Sequence, residues 1–156
     1  MSKPLSGVKI AILVANGFEE ADMTATQRAL VAAGAHAKII SPEPGLVNSW
    51  TGQAWGHHFA IDAQLNAALG ADYAMLVIPG GQRSIDKLKL TAHTKRFINS
   101  FMAAQKPVAV WGNAAQTMEY AGADIHAANV TAGEGADFAA QMVKSFTAAP
   151  PMQQAA

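Results

Sequence analysis

The chain has 156 residues, enough for one domain with a single well-formed core and too few for two. Hydrophobic residues make up 51%, charged residues only 14%, and 11 Lys plus Arg balance 11 Asp plus Glu, so no net charge draws the protein toward nucleic acid or an acidic membrane surface. There is no cysteine, which excludes disulfides, thiolate catalysis and Cys-ligated zinc. Low charge with many alanines leaves two readings open: an apolar patch for self-association, or Ala-rich helices packed on a buried sheet. The start, MSKPLSGVK, has no apolar leader-like run, and the apolar runs elsewhere are too short to span a bilayer, so a cytoplasmic location is the expectation.

Lys9 to Ala15 (KIAILVA) reads as a strand apolar on both faces, as a central parallel strand must be. It ends at Asn16-Gly17. Glu19, Glu20 and Asp22 open a helix that carries Met23, Leu30 and Val31 on one side and stops at Gly34. Ala37 to Ser41 is a second strand, closed by Pro42 and Pro44, which completes a βαβ unit. Leu46 to Ile61 mixes Trp50, Trp55 and Phe59 with polar residues and glycine, as suits a hairpin or a loop over an edge. A short helix is expected over Asp62 to Leu69. Tyr73 to Pro79 is the third buried strand and runs into Gly80-Gly81, where backbone N–H groups can approach a ligand or a neighbouring loop.

Thr91 to Gln105 is the clearest amphipathic helix, with Phe97, Ile98, Phe101 and Met102 on one face and Lys95, Arg96 and Asn99 off it. Val108 to Trp111 then breaks at Gly112-Asn113 into an Ala-rich helical pattern, a strand turning sharply into a helix. Such a turn projects its apex residue out of the sheet beside unpaired helix N–H groups, and an enzyme would put Ser or Cys there. Met118 to Ala128 is weakly patterned. Asn129 to Ala132 is a candidate fifth strand. Phe138, Met142, Val143 and Phe146 mark a closing helix. The domain is expected over residues 1–147, with 148–156 as a frayed tail. Together these elements predict a three-layer α/β/α sandwich of flavodoxin type with a mostly parallel sheet in the order 2-1-3-4. Asn16 to Asp22, Gly80-Gly81 and Gly112-Asn113 would then surround one crevice beyond the strand ends.

Four stretches, KIAILVANGFEEADM, AWGHHFAID, YAMLVIPGG and KPVAVWGNAAQ, resemble the ThiJ/PfpI superfamily in order and spacing over about the first three-quarters of the chain. The core of that superfamily resembles the class I glutamine amidotransferase fold. In its catalytic members the turn after the fourth strand reads Cys-His-Gly-Pro. Aligned here, the nucleophile falls on Gly112, the histidine on Asn113, and the Gly-Pro on Ala114-Ala115. The family's acidic partner falls on Asp22, one methylene shorter than the usual Glu, and the segment between Met118 and Val130 is shorter than in typical members. The resemblance implies a remnant pocket of Asp22, Gly80, Gly81, Gly112 and Asn113 with no catalytic residue, no metal and no cofactor. An elbow residue in a sparsely populated backbone region costs ~1–3 kcal/mol unless it is glycine, so Gly112 is also what a scaffold without a reaction would use.

Each candidate has a plainer alternative. Asp22 reads as a first-turn carboxylate complementing the helix dipole, and Asn113 as a helix N-cap. Glu19 and Glu20 read as one solvated helix start. His57 and His58, adjacent on an extended strand, point to opposite faces and cannot chelate one ion on their own. His36, His93 and His126 read as surface or capping residues, and Trp50, Trp55 and Trp111 as core or interface aromatics. The resemblance implies stress-linked roles and homodimers for many members, and cysteine-less domains of this fold also occur appended to large-subunit catalases. The functional expectation is a pseudoenzyme, a stress-related binding or chaperone-like module. It would form a homodimer or higher homo-oligomer and take a small molecule or client protein. The alternatives are a hydrolase, amidase or glyoxalase-type enzyme that keeps a cleft without the cysteine, and a structural homo-oligomer with the Trp50 to Phe59 edge as interface.

Overall fold

The computed structural model describes residues 4–135 and 137–148. Strand β1 (Lys9–Leu13) lies at the centre of the main sheet because both its faces are apolar. Short β2 (Phe18–Glu19) leads into helix α1 (Glu20–Ala32), and β3 (His36–Ser41) returns parallel to β1 with Ile12 opposite Ile39. After β4 (Leu46–Trp50) and β5 (Trp55–Ala60) comes β6 (Ala63–Gln64), then β7 (Met75–Ile78), α2 (Gln82–Leu88) and α3 (Ala92–Ala103). The chain closes with β8 (Val108–Trp111), α4 (Ala115–Ala121), β9 (Val130–Gly133) and α5 (Phe138–Ala148). The main sheet has the order β6-β3-β1-β7-β8-β9 and all its pairings are parallel. The four principal strands thus take the expected 2-1-3-4 order, β9 is the fifth, and β6 adds an outer edge.

Successive side chains of each strand point to opposite faces, so the apolar runs feed two cores. On one face Ile10, Ile12, Val77 and Trp111 pack against Met23 and Leu30 of α1 and Phe138, Met142 and Phe146 of α5. On the other, Leu13, Leu76, Ile78 and Val110 meet Ile85 and Leu88 of α2, Phe97, Ile98 and Phe101 of α3, and Met118 of α4. Helices on both faces of a parallel sheet make the three-layer sandwich.

Leu46 to Ile61 forms a hairpin, and β2 pairs with β4 to complete a second, three-stranded sheet in the order β2-β4-β5. Phe18 anchors it to Phe59 edge-on, ring centroids 5.4 Å apart.

The structure corrects several expectations. Asp62 to Leu69 is not a helix: Ala63–Gln64 pairs with β3, held in place because the Asp62 N–H donates to the Ile39 carbonyl while the Ile39 N–H donates to Asp62 Oδ2. One backbone bond and one to the Asp62 carboxylate, both to the sheet edge, outweigh a weak helical pattern. Val31 does not share the buried stripe of α1 and is 62% exposed; Thr26 is buried with Met23 and Leu30 instead. Helix α2 went unforeseen. Ala148 ends α5 and does not start a tail, and residues 149–156 of the expected tail lie outside the described residues. No helix among the described residues is long and apolar enough to cross a membrane.

Candidate functional site

At the carboxyl ends of the strands, four turns enclose a cleft of about 780 Å³. Its lining includes Gly17, Glu19, Asp22, Trp50, Gly81, Arg83, Gly112, Asn113 and Glu134. The parallel sheet brings these turns to one end, as the topology requires.

The turn after β1 needs Gly17, which has φ +97° and would drive any Cβ into the side chain of Arg83. Its neighbour Glu19 donates its backbone N–H to the Gly80 carbonyl at 2.8 Å. Asp22, in the first turn of α1, accepts from the Gly80 N–H at 2.9 Å. The Gly81 N–H donates to Asn113 Oδ1 at 3.1 Å, and Asn113 Nδ2 donates to Gln82 Oε1 at 3.3 Å. Gly81 itself has φ +118° and leaves no room for a side chain, since a Cβ would stand 2.6 Å from the Gly17 carbonyl. The glycine pair therefore serves a neighbouring loop: both N–H groups are taken by side chains from other turns.

Asn113 is accordingly not an N-cap. Trp111 precedes a 3-10 turn over Gly112–Ala114, Ala114 precedes α4, and neither helix start has a side-chain cap. The amide bridges β7 to β8 instead, because the 3-10 turn aims it across the cleft. Gly112 sits at the bend with φ +47°, the left-handed region expected of an elbow apex. A Cβ there would face Glu134 Oε1 at 3.2 Å.

Asp22 does more than complement a helix dipole. Burial pushes its carboxyl up to about 6; the Gly80 N–H opposes this, and the charges of Glu19 and Glu134 add to it. Glu19 and Glu20, read together from sequence, part company here. Glu19 lines the cleft, whereas Glu20 turns to the hairpin and accepts from the Ser49 hydroxyl, the His57 N–H at 3.0 Å and His57 Nδ1 at 3.1 Å. The Ser49 bond first, then those from His57, hold Glu20 down to about 2. His57 is thus tied to a carboxylate.

Trp111, beside the turn, is buried against Phe138 with centroids 4.8 Å apart, while Trp50 reaches the cleft wall and Trp55 is 52% exposed. Arg83 lies over Trp50, its guanidinium carbon 4.2 Å from the ring centroid. His36, His93 and His126 lie at the surface.

Of the five candidates, Asp22, Gly81, Gly112 and Asn113 line the cleft, and Gly80 contributes through its backbone bonds. Sequence reasoning missed Glu134, Gln82 and Arg83. Glu134 had a usable signal: Glu134-Gly135 directly follows β9, and extending the strand-end rule to the fifth strand finds it.

Comparison with known proteins agrees with this architecture. The chain is 30% identical over 102 residues to General stress protein 18 of Bacillus subtilis (strain 168), covering 65% of this chain and 58% of that protein. It is 27% identical over 126 residues to Protein DJ-1 homolog D of Arabidopsis thaliana, covering 73% of this chain and 32% of that protein. The chain thus spans less than two thirds of the length of either relative. The crystal structure of Drosophila melanogaster DJ-1beta superposes with a TM-score of 0.77 over 90% of this chain and 89% of that one, at 14% identity, a likeness of fold. A model of the DJ-1/PfpI family matches residues 8–145, nearly the whole chain, and this protein therefore belongs to the DJ-1/PfpI family.

Proposed function

We propose that this protein is a non-catalytic member of its family, a stress-related binding module that uses the cleft between Asp22, Gly112 and Glu134. The observation that carries the reading is the state of the elbow. The apex is a glycine at φ +47°, and its neighbour Asn113 is spent on Gly81 and Gln82. The two glycine N–H groups, which could otherwise steady a developing oxyanion, are occupied by Asp22 and Asn113. The chain has no cysteine with which to replace the nucleophile. The stress-related part rests on the name of the Bacillus subtilis relative.

The test is an assay of turnover on peptides and α-oxoaldehydes beside thermal-shift screening for ligands. The expected result is stabilisation by a ligand with no turnover. Turnover that survives purification and disappears in Asp22→Ala would sink the reading.

One observation favours a second reading, an enzyme without the thiol. Asp22, with its carboxyl raised to about 6, is poised to exchange a proton near neutral pH, and Glu134 stands beside the empty apex. That reading requires the turnover just described, with a pH profile that breaks near 6.

A further inference from the structure

Arg83 is the cleft residue whose chemistry the proposed binding role leaves unexplained. It projects from the first turn of α2 into the space that Gly17 vacates, and its guanidinium lies over Trp50 at 4.2 Å and reaches Trp55 at 5.8 Å. The cation–π contact holds the guanidinium carbon over the ring. Among the described residues it makes no ion pair and donates no hydrogen bond; the ion pairs present are His57 with Glu20 and Lys87 with Glu43. An arginine steadied over a ring with five donors unspent is preorganised for a planar anion such as a carboxylate.

The same cleft presents Glu19, Asp22 and Glu134. Neither Glu19 nor Glu134 has an ion-pair partner among the described residues, and both act electrostatically on Asp22. Carboxylates outnumber the guanidinium three to one, so a phosphate dianion that reached Arg83 would be repelled by the rest of the wall. A molecule with one carboxylate and one ammonium meets favourable partners at both ends. Resting on the binding role proposed above, we propose that the cleft binds a small zwitterion of the α-amino acid or dipeptide class. Its carboxylate pairs with Arg83 against Trp50, and its ammonium faces Glu134 and Glu19. The cleft volume of about 780 Å³ accommodates a molecule of that size.

The test uses the full chain in calorimetry and thermal-shift assays at low ionic strength. The probes are the twenty L-amino acids, Gly-Gly and Ala-Ala, each compared with its N-acetylated and its C-amidated form, together with inorganic phosphate. At least one free zwitterion should raise the unfolding midpoint by several degrees when present at about a hundredfold excess over its Kd. Blocking either end should weaken binding at least tenfold. Arg83→Gln should bind the free acid and the amide alike, and Glu134→Gln should bind the free amine and the acetylated form alike. Arg83→Lys keeps the charge without the planar guanidinium and should fall between the wild type and Arg83→Gln.

The blocked ligands act on the unmodified protein, so the decision does not depend on any variant folding. No stabilisation by any free zwitterion, equal binding of blocked and free forms, or binding of phosphate alone would overturn this inference. Stabilisation by phosphate alone, or equal stabilisation by free and blocked forms, would do so while leaving the binding module standing. Turnover of peptides or α-oxoaldehydes would overturn the binding module instead.

Discussion

Replacing Asp22 by Asn should make this protein more stable at pH 8 and change it little at pH 4.5. Burial raises the Asp22 carboxyl from its ordinary 3.8 to about 6. Taken whole, that displacement is worth roughly 3 kcal/mol between neutral and ionised forms. The carboxyl is only half-buried and solvent screens part of the effect, so about 1–2 kcal/mol is the working figure. A group whose folded pKa is raised contributes its full stability below the unfolded value and loses it as pH rises through the folded one. The loss therefore falls between about pH 4 and pH 6 and is complete by pH 8. Asparagine avoids that loss, and its Oδ1 can still accept from the Gly80 N–H. Urea unfolding of both proteins at pH 4.5 and 8 gives the difference of differences and cancels every contribution the two proteins share. The variant should gain about 1–2 kcal/mol on the wild type over this interval. A flat difference, or a wild type that gains on the variant as pH rises, would refute the reasoning. It would mean that the Gly80 N–H stabilises the ionised carboxyl more than burial penalises it.

Gly112→Cys should restore the family's thiol without restoring its chemistry. The left-handed apex should lower stability by about 1–3 kcal/mol in urea titrations, and Glu134 would crowd the new Cβ at 3.2 Å. Peptide and α-oxoaldehyde turnover should stay at background, because the residue after the new thiol, Asn113, carries no basic group and its amide is taken by Gly81 and Gln82; measured turnover would refute this. Thr94 of α3 is fully buried, and its hydroxyl has no partner among the described residues. Thr94→Val should therefore leave stability unchanged or raise it by up to ~1–2 kcal/mol, whereas a loss of that size in the same titration would reveal a hidden hydrogen bond.

The central sheet was legible because β1, β7 and β8 are unbroken apolar runs, which parallel strands buried on both faces require. Helix α3 announced itself through Phe97, Ile98 and Phe101 at helical spacing. Helix α2 did not, since QRSIDKL buries only Ser84, Ile85 and Leu88 and its form depends on docking against the sheet. Strand β6 depends on the reciprocal bonds between Asp62 and Ile39, a tertiary contact that no local pattern encodes. Among the site residues, Asp22, the glycine pair, Gly112 and Asn113 were reached through the family's spacing. Arg83 was hidden because it enters the cleft only through the missing side chain of Gly17, remote in sequence. The partners of Asn113 were equally hidden, since a helix start in sequence looks the same whether its amide caps or bridges.

The bonds from Glu19 to Gly80, from Gly80 to Asp22 and from Gly81 to Asn113 lace three turns together before any ligand arrives. A guest molecule would meet a floor that is already ordered and would forfeit little conformational entropy there on docking. Any adjustment falls to the rim, where the Arg83 and Trp50 side chains lie against each other and, among the described residues, make no hydrogen bond to that floor. Amide exchange should divide along the same line, slow at Gly80 and Gly81 with or without a guest, so that recognition tightens the mouth of the cleft and leaves its base as it was.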